Sequence, residues 1–333
     1  MTSESIDQLF ESFNDLKVLV IGDVMIDAYL WGKVDRISPE APVPVISVTE
    51  REDRLGGAAN VALNVAAMGA QPIVCAIAGT DAKGEILTQL LEKRGLSSKG
   101  VVHSASRPTT VKSRVISGHQ HIVRVDEEST RALDAEEERV FLDNLEVIIR
   151  EEKPDVVIFE DYNKGLLTPN VIARAIELSS DAGIPTAVDP KKANFFSYKG
   201  VTLFKPNLKE LREGLKVEFD KKDQDSLREA VTKLEAKINN RVSLITLSEE
   251  GVYVKDGEDE HRIPAHIRNI SDVSGAGDTV ISVAALCLAR NTDSAFLAAL
   301  ANLAGGLVCE RVGVVPIDRD QLLKEAKLHL QQL

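Results

Sequence analysis

The chain has 333 residues, and 44% of them are hydrophobic, which is enough to bury one large core. Its 40 lysine and arginine residues against 52 aspartate and glutamate residues give a formal net charge of −12. That sign opposes non-specific attraction to nucleic acid or anionic lipid, so small molecules or other proteins are the expected partners.

Nothing in the sequence indicates a membrane or secreted protein. The first residues, MTSESIDQLFESFNDLK, lack the apolar stretch of a signal peptide, and later apolar segments are too short to span a bilayer. Cys75, Cys287 and Cys309 are widely spaced in apolar runs, which is typical of buried thiols. We therefore expect a cytoplasmic protein without a membrane or nucleic-acid partner.

Short β-branched runs alternate with longer helical patterns, which predicts an α/β fold with a doubly wound, mostly parallel sheet and helices on both faces. The predicted strands lie at 17–23, 71–79, 155–161, 185–189, 201–207 and 243–247. The predicted helices lie at 57–69, 83–94, 135–151, 168–182, 223–238, 276–290, 294–310 and 318–332. Because no linker or internal repeat divides the chain, residues 1–333 are expected to form one domain.

Two segments break this alternation, at about 27–50 and 109–128. Both are β-rich, and the second has the pattern of a hairpin that turns around Gly118. They predict a small β-sheet lid over the carboxyl ends of the main strands, where ligands of open α/β sheets bind. The exposed edges of such a lid also predict a homodimer.

The motif DVSGAGDTV at 272–280 opens an apolar helical run. Gly275 and Gly277 flank Ala276, so backbone N–H groups can turn inward at a helix N-terminus, where the dipole favours an anion. Asp278 falls in the first turn of the same helix, where its carboxylate can act as a general base beside a hydroxyl. A glycine-rich turn with a capping aspartate is the alternative interpretation.

DVSGAGD resembles the C-terminal signature of the ribokinase-like, or PfkB, carbohydrate kinase family. RLGGAANVALNVAAMGA at 54–70 resembles the family's N-terminal GG-x-x-N signature, in the expected order and separation. The resemblance covers essentially the whole chain. It implies a ribokinase-like fold, ATP, Mg²⁺ and a monovalent cation such as K⁺ as cofactors, and phosphorylation of a sugar hydroxyl with Asp278 as the base.

Further strings are similar to the branch of this family that phosphorylates heptose phosphates: GDVMIDAYLWGKVDRISPEAPVPV at 22–45, EDYNKG at 160–165, DPK at 189–191, KPNLKE at 205–210 and TLSEEG at 246–251. This resemblance implies phosphorylation of the anomeric hydroxyl of D-glycero-β-D-manno-heptose 7-phosphate, on the route to ADP-heptose and lipopolysaccharide core. Bifunctional relatives carry an additional domain with an H-x-G-H motif, which is missing here, so a separate adenylyltransferase is expected.

This chain has Glu160 where relatives commonly have serine before Asp161 and Tyr162. We expect that departure to leave the signature residues untouched.

Polar residues and glycines near the first strand are candidates for contacts with the sugar. Asp23 and Asp27 follow that strand, where carboxylates can accept hydrogen bonds from adjacent hydroxyls. Gly56 and Gly57 would let the backbone approach the sugar, and Asn60 offers an amide one helical turn later. Solvated acids and packing glycines are the alternatives. The resemblance also places Asp161, Asp189 and Asp272 on the substrate side.

A second group of residues is expected around the nucleotide. Asn207 and Glu210 lie three apart at a helix start and share one face. The resemblance assigns Asn207, Leu208, Lys209 and Glu210 to the ATP phosphates and Mg²⁺, with Glu210 acting through metal-bound water. A capping role for Asn207 is compatible with that assignment. Thr246, Ser248 and Gly251 resemble the family's nucleotide loop, and Asn302 resembles a contact on the purine side.

Several basic residues in the lid or just after strands are candidates for binding a substrate phosphate: Arg36, Lys112, Arg114, Arg124, Lys164, Lys191 and Lys192. A solvated face is the usual position of such side chains, and the sequence does not select among them. The spacing of His119 and His121 resembles a metal pair, but a hairpin turn predicts a surface position for both.

Three other functions compete with that of a heptose-phosphate kinase. A kinase of the same family acting on fructose 6-phosphate or ribose would share the signatures. A dinucleotide oxidoreductase needs a G-x-G-x-x-G turn after the first strand, but that turn has the sequence GDVMID. A non-catalytic sugar- or nucleotide-binding regulator would not need the base and the anion-binding glycines.

Overall fold

The computed structural model describes residues 2–118, 120–220 and 223–331. Those residues form a nine-stranded sheet, a four-stranded sheet and ten α-helices. The strands are β1 Lys17–Gly22, β2 Val24–Ile37, β3 Pro44–Gly57, β4 Gln71–Gly79, β5 Val101–Ser104, β6 Val111–Ser117, β7 Gln120–Glu127, β8 Val156–Glu160, β9 Thr186–Asp189, β10 Leu203–Phe204, β11 Val242–Thr246, β12 Val252–Asp256 and β13 Asp259–Ile263. The helices are α1 Ser3–Ser12, α2 Ala58–Ala67, α3 Ala82–Lys93, α4 Ala135–Glu152, α5 Pro169–Asp181, α6 Leu208–Leu215, α7 Gln224–Ile238, α8 Ala276–Ala289, α9 Ser294–Val308 and α10 Arg319–His329.

The large sheet has the order β13-β12-β11-β10-β9-β8-β1-β4-β5. All neighbouring pairs from β11 to β5 are parallel, and β12 and β13 extend the sheet in antiparallel fashion. Side chains alternate between the two faces along each strand. On β1, Val18 and Val20 join one hydrophobic core, and Leu19 and Ile21 join the other. The predicted mostly parallel sheet with helices on both faces is confirmed.

Helix α8 is central to the first core. Every residue from 278 to 288 is buried, so the helix is apolar on nearly all sides, as expected for a helix surrounded by other elements. It packs against α2 and α9 and lies over β8 and β9. This packing fixes the helix N-terminus above the carboxyl ends of the central strands.

The small sheet has the order β3-β2-β6-β7 and contains both predicted insertions. Strands β2 and β6 are parallel, whereas β2 with β3 and β6 with β7 are antiparallel. Gly118 has φ +60° at the turn between β6 and β7, a conformation that glycine adopts without strain. The predicted lid is therefore present, and its first two strands span 24–57 rather than 27–50.

Several elements differ from the sequence prediction. Strand β10 is confined to Leu203–Phe204 instead of 201–207, and Pro206, which has no N–H to donate, lies two residues past its end. Helix α1, strand β5 and the β12–β13 hairpin were not predicted as separate elements. In the part of the chain that the structure describes, no helix is both long enough and apolar enough to cross a membrane.

Candidate functional site

The N-terminus of α8 begins with a residue in the left-handed region. Gly275 is the N-cap with φ +79°, and a Cβ there would lie 3.1 Å from Asn60 Nδ2, so a side chain would be both strained and crowded. The N–H of Ala276 donates to Val273, and that of Thr279 donates to Gly275. Gly277 and Asp278 lie between these two residues, and their N–H groups have no acceptor among the described residues. They point to an anion site that the helix dipole reinforces.

Asp278 is buried, and each of its carboxyl oxygens accepts one side-chain hydrogen bond. Asn60 Nδ2 donates to Oδ2 at 2.6 Å, and Tyr162 Oη donates to Oδ1 at 2.8 Å. Burial raises the pKa of Asp278, although the two donors and Lys205 oppose that effect. A raised pKa makes this carboxylate a stronger base than an exposed aspartate.

The residues predicted to contact a sugar are gathered at the end of β1 and around the lid. A Cβ on Gly56 would lie 2.3 Å from Asp27 Oδ2, which explains the glycine at that position. Gly57 has φ +60° and caps α2. Asn60 is fully buried, and its Oδ1 has no partner within the described ranges. That oxygen can accept a bond from a ligand hydroxyl.

Asp23 and Asp161 organise the loop after β8. Asp23 accepts the N–H groups of Tyr162, Lys164 and Leu166 at 2.9, 3.0 and 3.3 Å. Burial and the charge of Asp161 raise the pKa of Asp23 to about 6, against the effect of these donors. Asp161 is fully buried, with Tyr198 Oη and the N–H of Asn163 as donors. Both carboxylates are thus committed to holding the loop that presents Tyr162.

A second cluster lies beside the anion site, at the ends of β8 and β9. The register places Gly22, Glu160 and Asp189 side by side on three adjacent strands. Lys205 Nζ lies 2.8 Å from Asp189 Oδ2, and the two side chains are only 3% and 6% exposed. Burial alone would raise the pKa of Asp189, but Lys191 and Lys205 hold it below its usual value.

Glu160 is fully buried beside Asp189, and the expectation that it leaves the signature residues untouched stays a prediction. Burial and the charges of Asp189 and Asp278 raise the pKa of Glu160 well above its usual value. Both of its carboxyl oxygens are buried and have no hydrogen-bond partner among the described residues. Glu160 therefore belongs to the electrostatic surroundings of the motif, because register places it beside Asp189.

Asn207 and Glu210 form a capping box at the start of α6. Asn207 Oδ1 accepts the N–H of Glu210, and Glu210 Oε2 accepts the N–H of Asn207, both at 2.8 Å. Lys191 Nζ lies 3.0 Å from Glu210 Oε1 and 3.5 Å from Asp189 Oδ1. It also lies 5.4 Å from the centre of the Tyr162 ring. Lys191 thus links α6 to the residues around Asp278.

A divalent metal would have oxygen ligands in this cluster. The described residues contain no group of three or more His, Cys, Asp or Glu side chains arranged to hold a metal ion together. Both oxygens of Glu210 are already hydrogen-bonded, whereas the Glu160 carboxyl beside Asp189 is fully buried and has no partner among the described residues. Magnesium usually takes one or two carboxylates, several waters and substrate phosphates, so Glu210, which is half-buried, and Asp189 fit Mg²⁺ bound largely through water.

The other residues predicted around the nucleotide are more dispersed. Gly251 has φ +88°, and a Cβ there would lie 2.0 Å from the carbonyl oxygen of Ile263. Asn302 Nδ2 donates to the carbonyl of Pro264 at 2.9 Å. Thr246 on β11 and Leu208 on α6 are half-buried. Ser248, in the turn after β11, is exposed, and Lys209 on α6 pairs with Glu213 on the surface.

The basic candidates do not form one cluster, and most are ion-paired. The pairs are Lys112 with Asp126 and Glu128, Arg114 with Asp27, Arg124 with Asp126, Lys164 with Glu128, Lys191 with Asp189 and Glu210, and Lys192 with Glu213. Arg36 is exposed towards the far end of β2. Asp272 accepts the N–H groups of Ser274 and Gly313, both at 2.9 Å. His121 is exposed, as predicted, and His119 lies outside the described residues.

Tyr162 and Lys205 were not predicted to have functional roles. Tyr162 follows a predicted strand in the EDYNKG segment, and Lys205 precedes Pro206. The position after a strand was the available signal for both. Their contacts with Asp278 and Asp189 depend on strand register and could not be read from the sequence.

Unpaired N–H groups beside a buried carboxylate, next to a β lid, supply the charge stabilisation and the base that transfer of a phosphoryl group to a hydroxyl requires. Fold and site thus define a phosphotransferase. Residues 15–320 match the model of the pfkB family carbohydrate kinases, and the chain belongs to that family of ATP-dependent kinases. The predicted family and enzyme class are confirmed.

Individual relatives agree with this assignment. The bifunctional protein HldE of Citrifermentans bemidjiense is 38% identical over 327 residues, which cover 98% of this chain and 66% of that protein. The protein of the same name from Geobacter sulfurreducens is 38% identical over 325 residues, covering 97% and 65%. The chain therefore spans about two thirds of the length of these curated relatives.

A solved structure supports the fold. Phosphofructokinase-2 from Escherichia coli in complex with potassium aligns with a TM-score of 0.77 over 95% of this chain and 99% of that chain. The sequence identity is 19%, so this likeness carries the fold alone.

Proposed function

We propose that the chain transfers the γ-phosphoryl group of ATP to the anomeric hydroxyl of D-glycero-β-D-manno-heptose 7-phosphate, giving the 1,7-bisphosphate and ADP. The observation that carries the chemistry is the buried Asp278 carboxylate at the N-terminus of α8, beside the unpaired N–H groups of Gly277 and Asp278. The choice of sugar rests on the resemblance of the 22–45 segment to heptose-phosphate kinases and on the relatives that are 38% identical.

In this proposal, Asp278 removes the proton of the sugar hydroxyl. The hydroxyl oxygen attacks the γ-phosphorus in line with the departing ADP oxygen. Asn60 and Tyr162 hold the two carboxyl oxygens in place, so the base needs no reorientation. The N–H groups at the start of α8 stabilise the charge on the transferring phosphoryl oxygens. The sugar contacts Gly56, Gly57, Asp27 and Oδ1 of Asn60.

The nucleotide lies on the other side of Asp278, towards α6 and β11. Asn207, Glu210, Gly251 and Asn302 surround it, and Lys191 faces its phosphates. Mg²⁺, when bound, would neutralise phosphate charge, and Glu210 and Asp189 would hold it largely through water. A monovalent cation such as K⁺ is a further proposed requirement.

A substrate panel tests the proposed function. ADP release is measured with Mg²⁺-ATP and D-glycero-β-D-manno-heptose 7-phosphate, fructose 6-phosphate or ribose, each with and without K⁺. We expect kcat/KM for the heptose phosphate to exceed that for the other sugars by orders of magnitude. A higher kcat/KM for fructose 6-phosphate or ribose would overturn the substrate assignment but leave the kinase chemistry in place.

We also propose that the lid pairs with the lid of a second copy. On the edge strand β7, Val123 and Val125 alternate with Arg124 and are 49% and 48% exposed, an unusual apolar surface for a strand in water. We expect sedimentation to show a dimer for the parent chain and a monomer for Val123→Glu/Val125→Glu. Val140→Glu on α4, where the parent valine is 37% exposed, is the control and should remain dimeric. A parent chain that is monomeric at all micromolar concentrations would contradict the proposal.

A further inference from the structure

Two lysines from different parts of the fold meet at a single carboxylate. Lys112 lies on β6 of the lid, and Lys164 lies in the loop after β8. Glu128, just past β7, places Oε2 3.1 Å from Lys112 Nζ and Oε1 2.7 Å from Lys164 Nζ. Both lysine side chains are only 14% exposed, so the two ammonium groups are held close together and partly dehydrated by one anion.

A third cation lies on the same side of the loop. Arg107 is 7% exposed, and its Nη2 donates to the carbonyls of Arg131 and Lys164 at 2.8 and 3.0 Å. Its Nη1 is buried without a partner in the described part of the chain. Arg107, Lys164 and Ser129 line one small cavity beside Asp23, with a volume of about 10 Å³, room for roughly one water molecule. The unused donor therefore belongs to a side chain that lines the same cavity as Lys164.

The charges of this cluster do not balance. Lys112, Lys164 and Arg124 are cationic, whereas Asp126 and Glu128 are the two acids that pair with them. The excess is positive in a protein whose net charge is −12. A phosphate monoester carries up to two negative charges and three strong acceptor oxygens, so it satisfies two ammonium groups better than one carboxylate does.

The loop that carries Lys164 also contacts the proposed base. Tyr162 touches Asp278, and Lys164 is only two residues further along the loop. Two residues span at most ~7 Å of backbone, so the backbone of Lys164 lies close to that of the residue whose side chain holds Asp278. The register also places Lys112 directly beside Asp27, one of the residues proposed to contact the sugar.

We propose that Lys112 and Lys164 form the subsite for the phosphate of a phosphorylated sugar, with Glu128 occupying it in the free enzyme and leaving when substrate binds. This inference rests on the proposed function for the position of the reacting hydroxyl. It deepens that function because it explains selection for a sugar that already carries a phosphate far from that hydroxyl.

Paired substrates test the subsite independently of the sugar. The variants Lys112→Met and Lys164→Met are assayed with heptose 7-phosphate against heptose, and with fructose 6-phosphate against fructose. We expect KM for the phosphorylated sugars to rise roughly 10- to 100-fold, because each variant removes a charged hydrogen bond, while KM for ATP stays unchanged. An equal rise for phosphorylated and unphosphorylated sugars, or no rise, overturns the subsite.

Misfolding cannot explain the result expected for Glu128→Gln, because that variant should have a lower KM than the parent chain. Loss of the competing charge should lower KM for the phosphorylated sugar and strengthen inhibition by inorganic phosphate, each by roughly threefold or more. An unchanged or higher KM in this variant contradicts the proposed displacement. The control is Lys255→Met on β12, whose parent side chain is also 14% exposed and ion-paired, with Glu235, and it should leave every KM unchanged.

The outcomes separate this inference from the proposed function. Preference for fructose 6-phosphate, with a phosphate-selective KM effect in both lysine variants, would reject the heptose assignment and support the subsite. Preference for heptose 7-phosphate without that KM effect would support the heptose assignment and reject the subsite. Activity confined to unphosphorylated sugars would overturn both.

Discussion

Asp278→Asn is expected to lower kcat by about 10²–10⁴-fold, the contribution of a positioned general base, while ATP still binds. The substitution preserves the shape of the side chain, but the amide oxygen can accept only one of the two hydrogen bonds that Asn60 and Tyr162 donate, and the amide cannot take the proton of a sugar hydroxyl. The measurement is steady-state ADP release, with ATP binding followed by protection against thermal unfolding. Retained turnover would reject Asp278 as the base, and lost protection would mean that the nucleotide site had changed as well.

The surroundings of Asp278 give this prediction a pH dependence. Burial raises the pKa of Asp278, so the acidic limb of kcat/KM should lie at higher pH than for an exposed aspartate, with activity lost as pH falls through the raised value. Tyr162→Phe removes a donor that stabilises the carboxylate, so it should move that limb to still higher pH. Tyr198→Phe removes an equally short phenol contact, to Asp161, and should leave the limb in place. Equal shifts in both variants would indicate a general structural effect.

Much of the fold was predictable because strands buried on both faces appear as continuous apolar runs, as in β1, β4 and β8. The β12–β13 hairpin was less apparent, since β13, DEHRI, is polar and has no fully buried residue. Helix α1 was missed because its apolar residues are few and interspersed with acidic and polar ones. These elements owe their structure to neighbours that the local sequence does not reveal.

The residues of the site also differ in whether the local sequence predicts them. Gly275, Gly277 and Asp278 lie in one short motif, so their spacing was sufficient to predict an anion site and a base. Glu160 and Lys205 are close to that site only because β8, β9 and β10 are adjacent in the sheet. A glutamate at a strand end or a lysine before a proline looks like a surface residue in a sequence. Burial and register, which give each its role, are properties of the assembled sheet.

Lys205→Met is expected to destabilise the protein by about 3–5 kcal/mol, the usual effect of removing one partner from a buried ion pair. Its ammonium lies 2.8 Å from Asp189 Oδ2, and neither side chain is more than 6% exposed. Without Lys205, Asp189 remains buried beside Glu160, with Lys191 as its remaining cationic contact. The free energy of unfolding, from urea titration of both proteins, measures the loss.

Two further variants show whether this loss comes from an unpaired charge or from altered packing. Lys205→Met/Asp189→Asn also removes the stranded charge and should recover part of the stability, because the cost of breaking a buried pair comes mainly from the partner left behind. Lys255→Met breaks a more exposed pair, with 14% and 18% exposure, and should cost no more than about 1 kcal/mol. If the double variant were less stable than Lys205→Met, packing around Lys205 would be the cause. A change no larger in Lys205→Met than in Lys255→Met would show that Asp189 finds another partner, and Lys191 is already 3.5 Å away.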